Sequence, residues 1–341
     1  MKVTHVVGID VAANSFVASV VMAATKRVGK AVEFTNEPAG FSQFEQWLTK
    51  QDLGQEQTIL CLEATGVYSE ALVYWLTAQE WWVSVLSPLA VKRASAAHGH
   101  KNDQVDSRRI GEYGARYRDQ LHRFVPKPEI LEQVQVLLQV REQYVRQKTA
   151  NQNSLHALHR KVVRTPLAES LLAESLVQLK RNIKQIEAEI KRLFDQDDDF
   201  RQQLLLLMTI PGVGLLLASH MVILAASLQR PLNPKVVSAH LGMAPFEHQS
   251  GTSIWRRPSS RRFGPATLRK LLHLAARSRR THHPPSRAYF ERKLLAGKPK
   301  RLILNNLANQ LIRVMCAVLR NRQPYIPDYQ SFPPNFVLTK S

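Results

Sequence analysis

The stretch VTHVVGIDVAANSFVASVVMA, residues 3–23, decides the fold of the N-terminal part of this chain. Two runs rich in Val and Ile, each of strand length, flank the small and polar residues 12–14, the pattern of an antiparallel hairpin. AVEFTNE (31–37) continues it as a third strand, and FSQFEQWLTKQ (41–51) then carries apolar residues at helical spacing. A strand TILCLEAT (58–65), a helix YSEALVYWLTAQE (68–80), a strand WWVSVLSP (81–88) and helical residues from about Ala90 onward complete the pattern. Three strands followed by βαβα predict an α/β domain in which an antiparallel hairpin opens a mixed sheet. No GxGxxG follows the first strand, which disfavours dinucleotide binding.

Downstream, residues 127–200 read as two long helices broken near Thr165-Pro166. Leu176, Leu179, Ile183, Ile186, Ile190 and Leu193 step by three and four, which suits a coiled-coil seam, either within a helical hairpin or against a second copy of the chain. Residues 204–228 contain no charged side chain, but Pro211-Gly212-Val213-Gly214 cuts them into two helices too short to span a bilayer. A PGVG turn between apolar helices resembles a helix-hairpin-helix unit, in which turn amides grip a phosphate through residues such as Gly212 and Gly214; an ordinary buried hairpin reads the same way.

The 341 residues predict about two domains, and two distant cysteines, Cys61 and Cys316, exclude a disulfide scaffold. Asp10 interrupts the apolar stretch an export signal needs, so a cytoplasmic, nucleoid-associated protein is expected. The formal charge of +20 is unevenly spread: residues 1–125 carry 13 basic and 13 acidic side chains, residues 126–210 carry 13 and 11, and residues 211–341 carry 21 and 3. A C-terminal excess of +18 points to a polyanionic partner, which inside a cell is nucleic acid.

Asp10 ends an apolar strand in GIDVA, and Glu63 does the same in LCLEATG. A carboxylate in such a place needs a counter-charge, and a metal ion supplies one where no Lys or Arg is close in sequence. KNDQVDSRR sets Asp103 and Asp106 three residues apart, on one helical face, although Asp103 equally suits an N-cap and Asp106 a first helical turn. Four carboxylates are enough for two Mg²⁺ ions of the kind that flank a phosphodiester in transfer chemistry. The histidine pairs His98/His100 and His282/His283 lack the further ligands a zinc site requires and read as structural or phosphate-contacting.

GID (8–10), LEATGVY (62–68) and KNDQVDSRR (101–109) resemble the RuvC-like DEDD domain of a class of bacterial insertion-sequence transposases related to the Piv DNA invertase. IPGVG (210–214), AHLGMAPFEHQSG (239–251) and FGPATLR (263–269) resemble that class's C-terminal transposase domain. The resemblance implies α/β plus mainly α architecture: a RuvC/RNase H-like mixed-sheet domain at 1–125, a helical coiled-coil connector at 126–203 and a mostly helical, basic transposase domain at 204–341. It implies Asp10, Glu63, Asp103 and Asp106 as the metal-binding set for Mg²⁺, two ions per site, and Ser250 as a nucleophile. It further implies double-stranded DNA as substrate, a bridge RNA as guide, and composite sites in a dimer or tetramer. Where relatives commonly carry a Lys/Arg-Gly-Asn step, this chain has Arg262-Phe263-Gly264-Pro265.

Without the resemblance Ser250-Gly251 is a turn, and Ser253, Ser259 and Ser260 compete with Ser250. Arg256, Arg257, Arg261, Arg262 and Arg269 nonetheless follow closely, and guanidinium groups hold phosphates and offset charge at a reacting phosphorus. The chain therefore reads as a site-specific DNA recombinase. A Holliday-junction-type endonuclease, using the same acids with water, and an unguided DNA invertase are the alternatives; a non-catalytic nucleic-acid-binding protein would leave the acids unused.

Overall fold

In the computed structural model, which describes residues 3–64, 66–94, 103–228, 232–250, 254–260 and 264–327, two compact units divide at Pro126 and Lys127. The side chains of Arg93 and of residues 247–250 and 254–259 are outside the description, as are Arg261, Arg262, His98 and His100 altogether.

The first unit is built on β1 (His5–Val11), β2 (Ser15–Met22), β3 (Val32–Thr35), β4 (Thr58–Glu63) and β5 (Trp82–Leu86), in the sheet order β3-β2-β1-β4-β5. β1 and β2, and β2 and β3, pair antiparallel; β1 and β4, and β4 and β5, pair parallel, the mixed sheet that the hairpin and βαβ pattern predict. Strand alternation divides the side chains between two faces. Val7, Ile9, Phe16, Ala18, Leu60 and Leu62 pack under α1 (Pro38–Lys50) and α2 (Glu70–Ala78), where Phe34, Phe41, Phe44 and Trp47 form an aromatic cluster. Val6, Val21, Ile59 and Cys61 pack on the other face, under α3 (Pro88–Ala94) and α4 (Asp103–Arg116). Short 3-10 turns at Val67–Ser69 and Arg118–Gln120 complete this part, the first replacing the start of the helix expected from residue 68.

α4 lies close on β1 because glycines meet there. A Cβ on Gly8 would stand 2.1 Å from the Ser107 carbonyl oxygen and 2.2 Å from the Gly111 nitrogen, and one on Gly114 would stand 2.6 Å from Cys61 Sγ. Ser19, opposite Gly8 in the β1–β2 register, joins Ser107 through a buried 2.8 Å hydroxyl–hydroxyl hydrogen bond. Gly8→Ala is therefore expected to lift α4 off the sheet and cost about 1–3 kcal/mol or more. Thermal unfolding should show a lowered midpoint; a wild-type midpoint would mean the contact is looser than this geometry.

The second unit contains α5 (Glu129–His159) and α6 (Pro166–Phe194), an antiparallel pair, then α7 (Asp198–Met208), α8 (Leu215–Ser227), α9 (Pro234–His240), β6 (Pro245–Ser250), β7 (Ile254–Ser260), α10 (Ala266–His282), α11 (Pro284–Leu295) and α12 (Lys300–Asn321). Leu176, Leu179, Ile183, Ile190 and Leu193 are buried, and the extensive α5–α6 packing shows the heptad seam serving an intramolecular hairpin. The base of this hairpin (Leu131, Val134, Leu138, Leu193, Phe194) shares one core with α7–α12. The two-stranded β6–β7 ribbon is the one strand pair in this mostly helical region among the described residues, and it was not read from the sequence because PFEHQS and IWRRPSS show too little apolar alternation to announce strands. The uncharged 204–228 run divides at the PGVG turn as expected, and α12 is the one helix among the described residues long and apolar enough to cross a membrane. Ile303, Leu307, Leu311, Ile312 and Met315 of α12 are instead fully enclosed in the core.

His220 of α8 lines a pocket with Leu138, Glu142, Arg146 and Thr267. Burial pushes its pKa down to about 4; Glu142 opposes this and Arg141 adds to it. The folded state thus refuses a proton that the unfolded chain accepts below its ordinary value of 6.5, so stability falls as pH drops from there to about 4. The expected loss is about 3 kcal/mol at about 1.4 kcal/mol per pKa unit. Thermal midpoints of wild type and His220→Leu at pH 7 and 4.5 test this: the variant should lose much of the acid sensitivity, and identical pH dependence in both would exclude His220 as its source.

Candidate active site

Asp10 and Glu63 come together through sheet register. β1 and β4 pair in parallel up to Ile9 opposite Leu62, so Asp10 and Glu63 are the next residue on each strand, at the same level. Alternation places Asp10 with Val6 and Gly8, and Glu63 with Ile59 and Cys61, on the face covered by α4. From their C-terminal ends the chain leaves β1 toward β2 on one side and β4 toward β5 on the other. Such a divergence opens a crevice at the strand ends, where α/β sheets bind ligands.

α4 delivers the other two acids. Its contacts run from Ser107 and Gly111 over Gly8 to Gly114 over Val6 and Cys61, so the helix descends antiparallel to β1. Going back four residues from Ser107 covers about 6 Å at 1.5 Å per residue, and going on two residues from Gly8 covers about 6.6 Å. The first turn of α4, with Asp103 and Asp106, therefore stands level with Asp10 and Glu63.

The electrostatics follow from this convergence. Asp10 is raised from 3.8 to about 6, by burial first and then by Asp106, Asp103 and Glu63, while the Val11 N–H donates to its carboxylate and holds it down. Asp106 pairs with Arg109 at 3.0 Å, which partly offsets its charge. Among the described residues no three His, Cys, Asp or Glu side chains close on a common point that would hold an ion as they stand. The donor chemistry still fits a hard cation: four carboxylates, one half-buried and driven toward protonation by the other three.

Ser250 lies in the second unit. It is the last residue of β6, opposite Ile254 across the ribbon, and His248 stands opposite Arg256 in the backbone register. The side chains of Ser250, Arg256 and Arg257 are outside the described residues, as are Arg261 and Arg262 entirely. Arg269 donates through Nη1 to the carbonyls of Leu241 (3.2 Å) and Gly264 (2.9 Å), tying the start of α10 to the end of α9. Gly264 has φ +81°, and a Cβ there would meet the His240 carbonyl oxygen at 2.0 Å, so the Arg262-Phe263-Gly264-Pro265 step retains its glycine for a backbone reason.

In the PGVG turn, Gly212 has φ +85° and sits against Ala275 and Arg279 of α10, which explains that glycine by packing. Gly214 precedes the first turn of α8, and a Cβ there would meet no heavy atom within 4 Å among the described residues. His283 accepts from the Ser286 N–H at 3.3 Å and caps α11, a structural use. Sequence reading passed over Ser19, Ser107 and Gly111, which seat α4; the Gly111/Gly114 spacing in IGEYGA is the signal that could have found them.

Comparison with known proteins adds the family context. Residues 7–163 match the transposase family of the IS110 DEDD type, and residues 204–291 match the transposase family described as IS116/IS110/IS902. The chain is 27% identical to the pilin gene-inverting protein of Moraxella lacunata over 322 residues, 94% of this chain and 97% of that protein. It is 26% identical to the transposase for insertion sequence element IS1328 of Yersinia enterocolitica over 263 residues, 69% of this chain and 76% of that protein. Thermus thermophilus RuvC in complex with a Holliday junction substrate aligns over 36% of this chain and 99% of its own, at 13% identity and a TM-score of 0.29.

Proposed function

We propose that this chain, which belongs to the IS110/IS116 transposase family, cuts and rejoins double-stranded DNA through a covalent serine intermediate, with the acids of the first unit and Ser250 of the second as its chemical groups. Transposition or recombination of DNA is the enzyme class of the family; the serine step, the metal and the guide are the finer reading. The observation that carries it is the electrostatic convergence of Asp10, Glu63, Asp103 and Asp106 at the ends of β1 and β4 and the start of α4.

Asp10, Glu63, Asp103 and Asp106 would hold divalent ions, Mg²⁺ in the cell and two per site. Bound there, they supply Lewis-acid stabilisation of charge on the attacking and leaving oxygens. Ser250 Oγ attacks the phosphorus, its proton leaves to solvent or a nearby base, the P–O3′ bond breaks, and the 3′ oxygen departs as a hydroxyl. The product is a 5′-phosphoserine that keeps the energy of the broken diester for rejoining to another 3′-hydroxyl. Arg256, Arg257, Arg261, Arg262 and Arg269, with the turn at Gly212 and Gly214, are the proposed phosphate contacts, consistent with the +18 charge of residues 211–341. Because the acids and Ser250 belong to separate units, composite sites in a dimer or tetramer are part of the proposal, as is guidance by a structured bridge RNA.

The experiment is to express the chain with its native flanking DNA and sequence the nucleic acid that co-purifies. A discrete structured RNA with loops complementary to two DNA sites supports guided recombination. The similarity to a pilin gene-inverting protein over nearly the full chain favours unguided inversion as a second reading. Heterogeneous nucleic acid together with inversion of a DNA segment in the same cells would select it.

A further inference from the structure

Asn36 stands between β3 and α1, outside every motif that carries the proposed chemistry, and bonds to the exits of both acid-bearing strands. Its backbone N–H donates to the Asn14 carbonyl at 2.9 Å. Its Nδ2 donates to the Ala12 carbonyl at 3.0 Å and to the Tyr68 carbonyl at 2.9 Å, with the Ala13 carbonyl at 3.5 Å. Ala12 lies two residues beyond Asp10, and Tyr68 lies five beyond Glu63.

The register shows why such a tie matters. The β1–β4 ladder ends at Ile9 and Leu62, one residue short of the two carboxylates. Past that point the strands diverge, and the like charges of Asp10 and Glu63 push them further apart. A single planar amide with two N–H donors spans the gap on the loop side. Backbone carbonyls only accept, so three of them around one end of the side chain identify that end as the NH₂ group. The opposite end, Oδ1, is buried and has no hydrogen-bond partner among the described residues.

We propose that Asn36 is a positioning residue for phosphoryl transfer, clamping the loop after Asp10 to the loop after Glu63 so that the two carboxylates keep the separation a shared divalent ion requires. The inference rests on reading those acids as the catalytic site. Outer groups that orient metal ligands typically contribute 10–100-fold in affinity or activity.

The test uses the full chain and a duplex from the native flanking DNA, titrated with Mn²⁺, comparing wild type, Asn36→Ala, Asn36→Ser and Asp10→Asn well below each variant's unfolding temperature. Asn36→Ala should cut the maximal cleavage rate about 10–100-fold and raise the half-saturating Mn²⁺ by about tenfold, with KM for DNA unchanged. Asn36→Ser, which keeps one hydroxyl donor, should recover part of both and serves as the test variant should the alanine form fail to fold. A wild-type rate and Mn²⁺ dependence in a folded Asn36 variant, with Asp10→Asn inactive, would overturn the positioning role alone. Full cleavage by Asp10→Asn would instead remove the reading of the acids on which it rests. A rate loss matched by the fraction of unfolded protein, with unaltered Mn²⁺ dependence, also overturns it.

Discussion

Asp10→Asn is expected to reduce Mg²⁺-dependent DNA cleavage by at least about 10³-fold, about 4 kcal/mol of transition-state stabilisation, and at the same time to stabilise the metal-free protein. The two effects have one origin. Asp10 is half-buried and faces Asp106, Asp103 and Glu63, so its pKa rises from 3.8 to about 6. A folded-state pKa above the unfolded value disfavours the charged form in the fold, and the resulting stability is lost as pH rises through about 6. At pH 7 Asp10 is charged and the fold bears that repulsion, about 1–2 kcal/mol once solvent screening is allowed for. Asparagine removes the repulsion and with it one of the proposed metal ligands. Differential scanning fluorimetry should show Asp10→Asn melting several degrees above wild type in EDTA, and Mg²⁺ or Mn²⁺ raising the midpoint of wild type much more than that of the variant. An inactive variant with no gain in EDTA would place Asp10 outside the charge cluster, and full wild-type cleavage in excess EDTA would defeat the metal reading.

Ser250→Ala is expected to abolish the covalent protein–DNA adduct, with cleavage below roughly 10⁻⁴ of wild type, as when an enzyme loses its nucleophile. DNA affinity should change by no more than about twofold, since the proposed phosphate contacts come from the basic residues and not from Ser250. The position suits such a role: Ser250 ends β6 at the tip of a short ribbon, and the basic residues Arg256 and Arg257 follow on β7. Denaturing gels of cleavage reactions, followed by protease digestion and mass spectrometry, locate the adduct. An adduct that survives in Ser250→Ala and maps to Ser253, Ser259 or Ser260 would transfer the role to that residue. Double-strand cleavage without any adduct in wild type would return the chemistry to water, as in a junction endonuclease.

Much of the first unit was legible because its signals are local. Val and Ile runs of strand length, the polar break at residues 12–14 and the apolar spacing of Phe41, Phe44 and Leu48 each specify an element without reference to distant residues. The acids were legible for a related reason: Asp10 and Glu63 interrupt strands otherwise buried, and an ionised group there demands a counter-charge wherever the chain goes. The seam of α6 was equally plain as a pattern, but a heptad does not say whose helix covers it, and only the fold of α5 back along α6 answered that. The β6–β7 ribbon escaped notice because Phe246, Ile254 and Trp255 do not alternate with polar residues along either strand, so pairing rather than hydrophobic alternation defines it.

The amino-acid sequence by itself determined the mixed α/β character of the first unit, the break of the uncharged run at the PGVG turn and the concentration of positive charge after residue 210, and it singled out the four carboxylates proposed as the site. The tertiary structure decided what no local pattern encodes. It brought residues 10, 63, 103 and 106 to one level through the β1–β4 register and the Gly8–Gly111 approach, assigned Gly212 and Gly264 to packing and backbone geometry, and set the Asn36 amide across two loop exits. The physical reason is range: turn, strand and helix preferences act over a few residues, whereas register, close approach and charge coupling join groups up to about a hundred residues apart, and exist only once the chain is folded.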